Sequence, residues 1–184
     1  MWHMLRKSLG LGVVTEMPEK SAAGHVGRQA GAATAPEVST LLRELDAKTK
    51  RILGRSLHIR HVDTGSCNGC DFEMNAMLNP IYDIQRLGFD FVASPRHADL
   101  LMVTGPVTHN LRQALLRAVD ATPKPRLVMA LGDCACNGGV TAGSYAACGG
   151  VAEVVPIDIY VEGCPPTPTD IIRALLIALD RLAA

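Results

Sequence analysis

Four of the six cysteines in this 184-residue chain have the neighbours and the spacing that suit a metal cofactor. Cys67 and Cys70 lie in GSCNGCDFEMNA, Cys134 in LGDCACNGG and Cys164 in VEGCPPTPTD, which gives the pattern C-x2-C-x63-C-x29-C-P. A cubane iron–sulfur cluster needs four soft thiolate ligands in a tetrahedral arrangement. Glycine in each of the three segments lets the backbone approach the inorganic core and direct N–H groups at its sulfurs. The pattern therefore suits a cluster of this type.

Structural zinc is the competing explanation for four cysteines, and it would make the chain a non-redox interaction module. Such sites usually take their ligands from two compact C-x2-C pairs, whereas only Cys67 and Cys70 form a compact pair here. Cys136 is a candidate alternative ligand, or a thiol beside the cluster, against the simpler interpretation of a small loop residue. Cys148 follows two alanines, which predicts a small buried apolar residue.

The composition argues against several other classes of function. The formal net charge is zero and aromatic residues make up 4% of the chain, so nothing indicates nucleic-acid binding. No apolar run reaches the roughly 18 residues that span a bilayer, and the N-terminus lacks a signal-peptide pattern, so we expect a cytoplasmic protein. The content of hydrophobic residues, 48%, indicates a well-buried α/β core or a surface that partner subunits cover.

From residue 57 onward, short apolar runs alternate with helical patterns, which predicts an α/β fold with a parallel sheet and right-handed crossovers. We expect residues 1–37 to form a flexible N-terminal extension, 38–56 a helix and linker, and 57–184 a single cluster-binding α/β domain. Thr167 or Thr169 is expected to cap the last helix. The expected strands are 57–62, 89–93, 99–104, 126–131 and 157–161, and the expected helices are 38–54, 72–78, 111–119 and 170–182.

The three cysteine-containing segments each follow the carboxyl end of an expected strand. Open α/β sheets build their sites at that edge, because parallel strands all end there. Cysteines far apart in sequence are therefore expected to converge on one edge of the sheet.

The motifs, taken together and in order, resemble the electron-transfer small subunit that [NiFe]-hydrogenases share with respiratory complex I, where it is the 20 kDa subunit. The similarity covers roughly residues 57–182. It implies a flavodoxin-like open parallel sheet with helices on both faces and one [4Fe–4S] cluster, held by Cys67, Cys70, Cys134 and Cys164 by motif position. The matching segments are Gly65–Cys70 with Glu73 and Met74, Pro95–Gly105, Leu131–Gly139 and Val155–Pro168.

Details of the motifs resemble the membrane-bound, energy-converting hydrogenases of the formate hydrogenlyase type. The first motif is C-x2-C, whereas the complex I subunit typically has adjacent cysteines, and nothing after Cys164 offers a further cluster motif. This resemblance implies an electron carrier between a [NiFe] large subunit and ferredoxin-like subunits. It also implies attachment, through membrane-arm subunits, to the inner face of the cytoplasmic membrane. A complex I-like quinone or ferredoxin oxidoreductase relay without nickel is the alternative.

Three further residues are candidates for roles at subunit contacts. Glu73 follows Cys70 closely and is a candidate for proton relay or for an interface hydrogen bond, although the helix dipole alone favours an acidic residue there. Arg96 and His97 are candidates for contact with the large subunit or the membrane arm, against the interpretation of a solvated turn. The chain has no acid–base or nucleophile constellation, so we expect catalysis only within a complex.

Overall fold

A six-stranded sheet in which every strand pair is parallel forms the centre of the protein. The computed structural model describes residues 24–27 and 35–183. The spatial order of the strands is β1-β6-β5-β4-β2-β3. The strands are β1 (Gly24–Val26), β2 (Leu57–Asp63), β3 (Phe89–Phe91), β4 (Leu100–Thr104), β5 (Leu127–Leu131) and β6 (Ile159–Val161).

Helices cover both faces of this sheet. The first, second and fifth helices share one core with the sheet, and the third and fourth pack on the opposite face. Within the described ranges, no helix is long and apolar enough to cross a membrane. The helices are α1 (Ala35–Ile52), α2 (Gly69–Ala76), α3 (His109–Ala121), α4 (Asp133–Asn137) and α5 (Pro168–Ala183).

The two central strands are buried on both faces, as the near-continuous apolar runs of β4 and β5 require. Their side chains alternate between the two cores, because successive residues of a strand point to opposite faces. One core receives Leu100, Met102, Leu127, Met129 and Leu131, and the other receives Leu101, Val103, Val128 and Ala130.

The order of β2 to β6 is the flavodoxin-like order, so the predicted fold class is confirmed. The strand β1 was not predicted from the sequence; it adds a sixth strand beside β6, with Val26 opposite Val161. A three-residue strand that begins with glycine lacks the alternating apolar pattern on which strand prediction depends. Residues 35–37 of the expected flexible extension form the start of α1, and residues 1–23 and 28–34 lie outside the described residues.

The start of α5 is fixed by a reciprocal cap, which identifies Thr167 as the capping residue. The Thr167 hydroxyl accepts a hydrogen bond from the Asp170 N–H at 3.3 Å. In return Asp170 accepts the Thr167 hydroxyl at 2.7 Å and the Thr167 N–H at 3.4 Å. Pro168 occupies the first helical position, where its missing N–H costs nothing. Arg173 then joins Asp170 to Glu37 of α1, which fastens α1 to the domain.

Two aspartates hold the amino edge of the sheet, where strands begin. Asp99 accepts hydrogen bonds from the His58 N–H at 3.0 Å and from two nitrogens of Arg55 at 2.9 and 2.7 Å. Asp158 accepts the Val128 N–H at 2.8 Å. These carboxylates satisfy backbone donors that the ladder leaves free at strand ends.

Replacement of Asp99 by Asn is expected to cost about 1 kcal/mol of unfolding free energy at pH 7, because the charged acceptor of Arg55 is lost at a partly exposed site. Burial alone would raise the pKa of Asp99, but the bonds from Arg55 and the His58 N–H lower it overall, below its ordinary value of 3.8. The stabilisation is therefore complete above pH 3.8 and disappears as the pH falls through the lower, folded-state pKa.

Denaturant unfolding of the Asp99→Asn chain at pH 7 and at about pH 3 measures this dependence. The exposed residue Asp120 offers a matched control, since Asp120→Asn should change little at either pH. A loss of stability at Asp99 that is as large at pH 3 as at pH 7 would contradict the account.

Candidate metal centre

The first two cysteines lie where β2 passes into α2. The carboxylate of Asp63, the last residue of β2, accepts the N–H groups of Gly65 and Ser66 at 2.8 and 2.7 Å and so turns the chain. Asn68 adopts a left-handed conformation with a φ of 66°, and the helix begins at Gly69. The helix thus starts three residues earlier than the predicted 72–78, and Cys70 lies in its first turn.

The other two cysteines follow β5 and β6, and their loops are tied to each other. The Gly132 N–H donates to the carbonyl of Val161 at 2.8 Å. The Asp133 N–H donates to the carbonyl of Gly163 at 2.9 Å, and the Gly163 N–H donates to the Asp133 carboxylate at 2.7 Å. This exchange holds the residue before Cys134 against the residue before Cys164.

Glycines make room for the thiols where the three loops meet. A Cβ on Gly132 would lie 2.5 Å from the Cys70 sulfur, and one on Gly139 would lie 2.8 Å from the Cys134 sulfur. Gly69 approaches the third loop, with a Cβ position 3.5 Å from the Cys67 sulfur and 3.9 Å from Pro165. Any side chain larger than hydrogen would fill the space beside the sulfurs. Glycine at these positions lets the backbone lie close to the sulfurs, as the motifs predicted.

The four thiols influence one another electrostatically. Burial raises the pKa of the Cys70 thiol to about 12, and the neighbouring Cys134, Cys67 and Cys164 add to the rise. Burial also raises the pKa of Cys134, again with contributions from Cys164 and Cys67, while an N–H···S hydrogen bond from Val140 opposes the change. Four thiolates at this edge would repel one another unless a cationic core lay between them.

This donor set fits a cluster of the cubane type. In the described residues, 24–27 and 35–183, no three His, Cys, Asp or Glu side chains are close enough to enclose a single metal ion. Cysteine ligands of a [4Fe–4S] core each bind a separate iron atom, so they surround the core and do not meet at one ion. Four soft sulfur donors around a glycine-lined space, with an N–H group aimed at one sulfur, have the chemistry that such a core requires.

The site is open on one side. Cys67 and Cys164 are exposed, whereas Cys70 and Cys134 are partly buried. Large apolar side chains stand exposed beside the same loops, with Phe72 and Val140 each 73% exposed. An apolar rim around a half-open site is typical of a surface that another protein covers.

The two remaining cysteines pack in the core on the opposite face of the sheet from Cys70, although Cys136 and Cys70 still interact electrostatically. Cys136 is buried, and its sulfur approaches the carbonyls of Ala130 and Val161 at 3.8 and 3.6 Å, within the core between β5 and β6. Cys148 is only partly buried, and its sulfur lies 3.2 Å from Nδ1 of His109. The prediction of a small buried apolar residue at Cys148 is therefore correct only in part, because Cys148 packs against the core but also contacts an imidazole.

The other predicted functional residues lie at two different places. Glu73 is half-buried in the second turn of α2, on the helix that carries Cys70. Arg96 and His97 are exposed in a 3-10 turn, Pro95–His97, and the His97 carbonyl is 3.0 Å from Nδ1 of His58 near the start of β2. That turn belongs to the amino edge of the sheet, opposite the cysteines, so the structure does not bring Arg96 and His97 into the candidate centre.

Sequence reasoning missed the polar residues that hold the cysteine loops. Asp133 is 3% exposed and pairs with Gly163, and Asp71 contacts His61, Ser66 and Thr104. Each aspartate is adjacent to a cysteine, which is the signal that could have identified them. Most of their partners are distant in sequence, so spacing alone could not have identified the two aspartates.

A methyl group at Gly132 is expected to disrupt the centre. Gly132→Ala would place Cβ against the Cys70 sulfur at a φ of 90°, with a cost of about 1–3 kcal/mol from overpacking and further strain from the backbone. The melting temperature should fall and iron uptake on reconstitution should be impaired.

Gly143→Ala provides the matched control, because Gly143 also has a positive φ, 77°, but no atom within 4 Å of its Cβ position. Gly143→Ala should lose only about 1 kcal/mol of unfolding free energy, from backbone strain, and its iron uptake should be unchanged. Equal effects of the two variants on iron uptake would contradict a specific role for the space at Gly132.

Proteins of similar sequence are subunits of hydrogenase and oxidoreductase complexes. "Probable membrane-bound hydrogenase subunit mbhJ" of Pyrococcus furiosus is 42% identical over 137 residues, 74% of this chain and 82% of that protein. Formate hydrogenlyase subunit 7 of Escherichia coli is 39% identical over 145 residues, 79% of this chain and 57% of that protein. A subunit of the NADH-quinone oxidoreductase of Heliobacterium modesticaldum is 41% identical over 108 residues, 58% of this chain and 62% of that protein.

Solved structures with a similar fold come from the same kinds of complex. A chain of the membrane-bound sulfane sulfur reductase, an archaeal respiratory membrane complex, aligns with a TM-score of 0.62 and 29% identity over 76% of each chain. A chain of an NAD+-reducing [NiFe]-hydrogenase aligns with a TM-score of 0.52 and 21% identity over 67% of this chain and 93% of that one, which shows the shared fold alone.

The family model described as NADH ubiquinone oxidoreductase, 20 Kd subunit, matches residues 67–178, a range that includes Cys67, Cys70, Cys134 and Cys164. The match covers more than half of the chain. This chain belongs to the NADH ubiquinone oxidoreductase 20 Kd subunit family.

Proposed function

We propose that this chain is the iron–sulfur electron-transfer subunit of a multisubunit oxidoreductase, with one [4Fe–4S] cluster bound by Cys67, Cys70, Cys134 and Cys164. The observation that carries the proposal is the meeting of four thiols from three loops at the carboxyl edge of the sheet. A bound cluster of this kind supplies one-electron transfer. Catalysis then belongs to the assembly, and the isolated chain is an electron carrier.

The chain's own residues would bind the cluster, shield one side of it and leave the other side open. The thiols of Cys70 and Cys134 are partly buried, which lowers the local polarity, while the Val140 N–H donates to the Cys134 sulfur. Burial and N–H···S bonds are the means by which a protein sets the potential of a cluster. The exposed thiols, Cys67 and Cys164, keep the other side open to an electron donor or acceptor.

The partners proposed are a [NiFe]-type large subunit, ferredoxin-like iron–sulfur subunits and membrane-arm subunits. The apolar rim of Phe72 and Val140 beside the exposed thiols supports coverage by another subunit. The sequence similarity to membrane-bound hydrogenase and formate hydrogenlyase subunits supports the hydrogenase assignment. In such a complex the chain would be peripheral, on the inner face of the cytoplasmic membrane, and Glu73 would be a candidate for proton relay or subunit contact.

A relay in a complex I-like oxidoreductase without nickel is the second candidate. The family match and the similarity to a subunit of an NADH-quinone oxidoreductase support it. Both candidates require the same cluster on the same cysteines, so only the partner distinguishes them.

Loss of any ligand should remove or distort the cluster. Cys164→Ala, which deletes the thiolate of the third loop, is expected to lower the iron content and abolish the EPR signal of the reduced cluster. Cys136→Ala is the matched control, since the Cys136 sulfur points into the core and its loss should cost stability but leave the iron content unchanged. Full iron in the Cys164→Ala chain would refute the ligand assignment.

Metal analysis of the complex tests the choice of partner. The full chain would be used as bait for an anaerobic pull-down, followed by elemental analysis and an assay of hydrogen-dependent dye reduction. Iron with nickel and dye reduction is the result expected for a hydrogenase. Iron without nickel would favour the complex I-like relay, and zinc with little iron would overturn the electron-transfer function.

A further inference from the structure

The carboxylate of Asp71, the residue after Cys70, is the centre of a polar network behind the C-x2-C loop. One carboxylate oxygen accepts the Ser66 hydroxyl at 2.9 Å. The other accepts the Thr104 hydroxyl at 3.2 Å and lies 3.1 Å from Nε2 of His61. Nε2 of His61 is in turn 2.8 Å from the Thr104 hydroxyl oxygen. The side chain of Asp71 is only 18% exposed.

This network joins the cysteine loop to two strands. His61 belongs to β2 and Thr104 is the last residue of β4, so the Asp71 carboxylate is anchored to the rigid sheet. Ser66 directly precedes Cys67, and its hydroxyl also accepts the Asn68 N–H at 3.2 Å. Asp71 therefore holds both ends of the segment that carries Cys67 and Cys70.

An acidic residue in the first turn of a helix needs no special role, because the helix dipole favours it. The contacts of Asp71 go beyond that effect. The N-cap residue of α2, Asn68, makes no capping hydrogen bond with its side chain. The Asp71 oxygens face hydroxyl and imidazole groups of other segments. These contacts hold the loop that carries Cys67 and Cys70 in place, and they do not cap α2.

The negative charge of Asp71 also acts on the neighbouring thiol. The Asp71 side chain leaves α2 one residue after Cys70, within the first turn of the helix. Burial lowers the pKa of His61, and the carboxylates of Asp71 and Asp63 act in the opposite direction. A cluster held by Cys70 would gain an electron on reduction, and a negative charge on the adjacent residue would oppose that gain.

We propose that Asp71 is a positioning residue that fixes the Cys67–Cys70 loop to the ends of β2 and β4 and places a negative charge that lowers the reduction potential of the cluster. This inference rests on the proposed function. It adds a determinant of cluster geometry and potential that is not itself a ligand.

The test compares four full-length chains after anaerobic reconstitution with iron and sulfide: wild type, Asp71→Asn, Ser66→Ala and Asp180→Asn. Asp71→Asn removes the charge at constant size, and Ser66→Ala removes one anchor but keeps the charge. Asp180→Asn is the control, because Asp180 is an ion-paired carboxylate that lies 12 residues beyond the start of α5, roughly 18 Å along the helix. The readouts are iron content, the EPR spectrum of the reduced cluster, its midpoint potential and the rate of iron loss to a chelator.

The inference predicts a higher midpoint potential and altered EPR g values in Asp71→Asn. For Ser66→Ala it predicts iron loss roughly tenfold faster than in wild type with a smaller change of potential. Asp180→Asn should match wild type in every readout. If the Asp71→Asn chain does not fold by circular dichroism, the chelator rate of Ser66→Ala decides the positioning role.

Two results would overturn the inference, and they can be told apart. A wild-type chain that takes up no iron would overturn the proposed function, and this inference with it. A loaded wild type whose potential, g values and chelator rate are unchanged in Asp71→Asn and Ser66→Ala would overturn the inference alone.

Discussion

The convergence of four cysteines on one edge of the sheet is the constraint on which the rest of this structure depends. Burial and proximity raise the pKa of Cys70 to about 12, so the chain must hold together groups that would repel as thiolates. The parallel sheet meets this requirement, because its strands deliver three loops to one edge and two buried cores keep those strands fixed. The Asp133–Gly163 exchange and the Asp71 network then fasten the loops to one another and to the sheet.

The same arrangement connects the fold to the proposed function. Glycines with positive φ, such as Gly132, are placed where a side chain would enter the space beside a sulfur. Two thiols are partly buried and two are exposed, so the site has a protected side and an open side with an apolar rim. An electron carrier needs a protected side, which sets the potential of the cluster, and an open side, which admits a partner. Similar proteins belong to hydrogenase and oxidoreductase complexes, where such a carrier has its use.

Much of the fold could be predicted from the sequence, and so could the meeting of the cysteines. Buried runs such as Leu100–Thr104 identify central strands, and parallel strands end at one edge, so the convergence of Cys67, Cys134 and Cys164 follows from topology. The strand at Gly24–Val26 could not be predicted, because it depends on pairing with β6 and not on its own composition. Contacts such as those of Asp71 with His61 and Thr104, or of Cys148 with His109, join residues distant in sequence and leave no spacing pattern.

The most direct test of the central claim is an anomalous difference map at the iron absorption edge, from crystals of the anaerobically purified complex that contains this chain. The account predicts a compact four-iron peak bonded to the sulfurs of Cys67, Cys70, Cys134 and Cys164, with Cys136 still in the core between β5 and β6. A peak bonded to a different set of residues, or zinc in place of iron at these sulfurs, would contradict it.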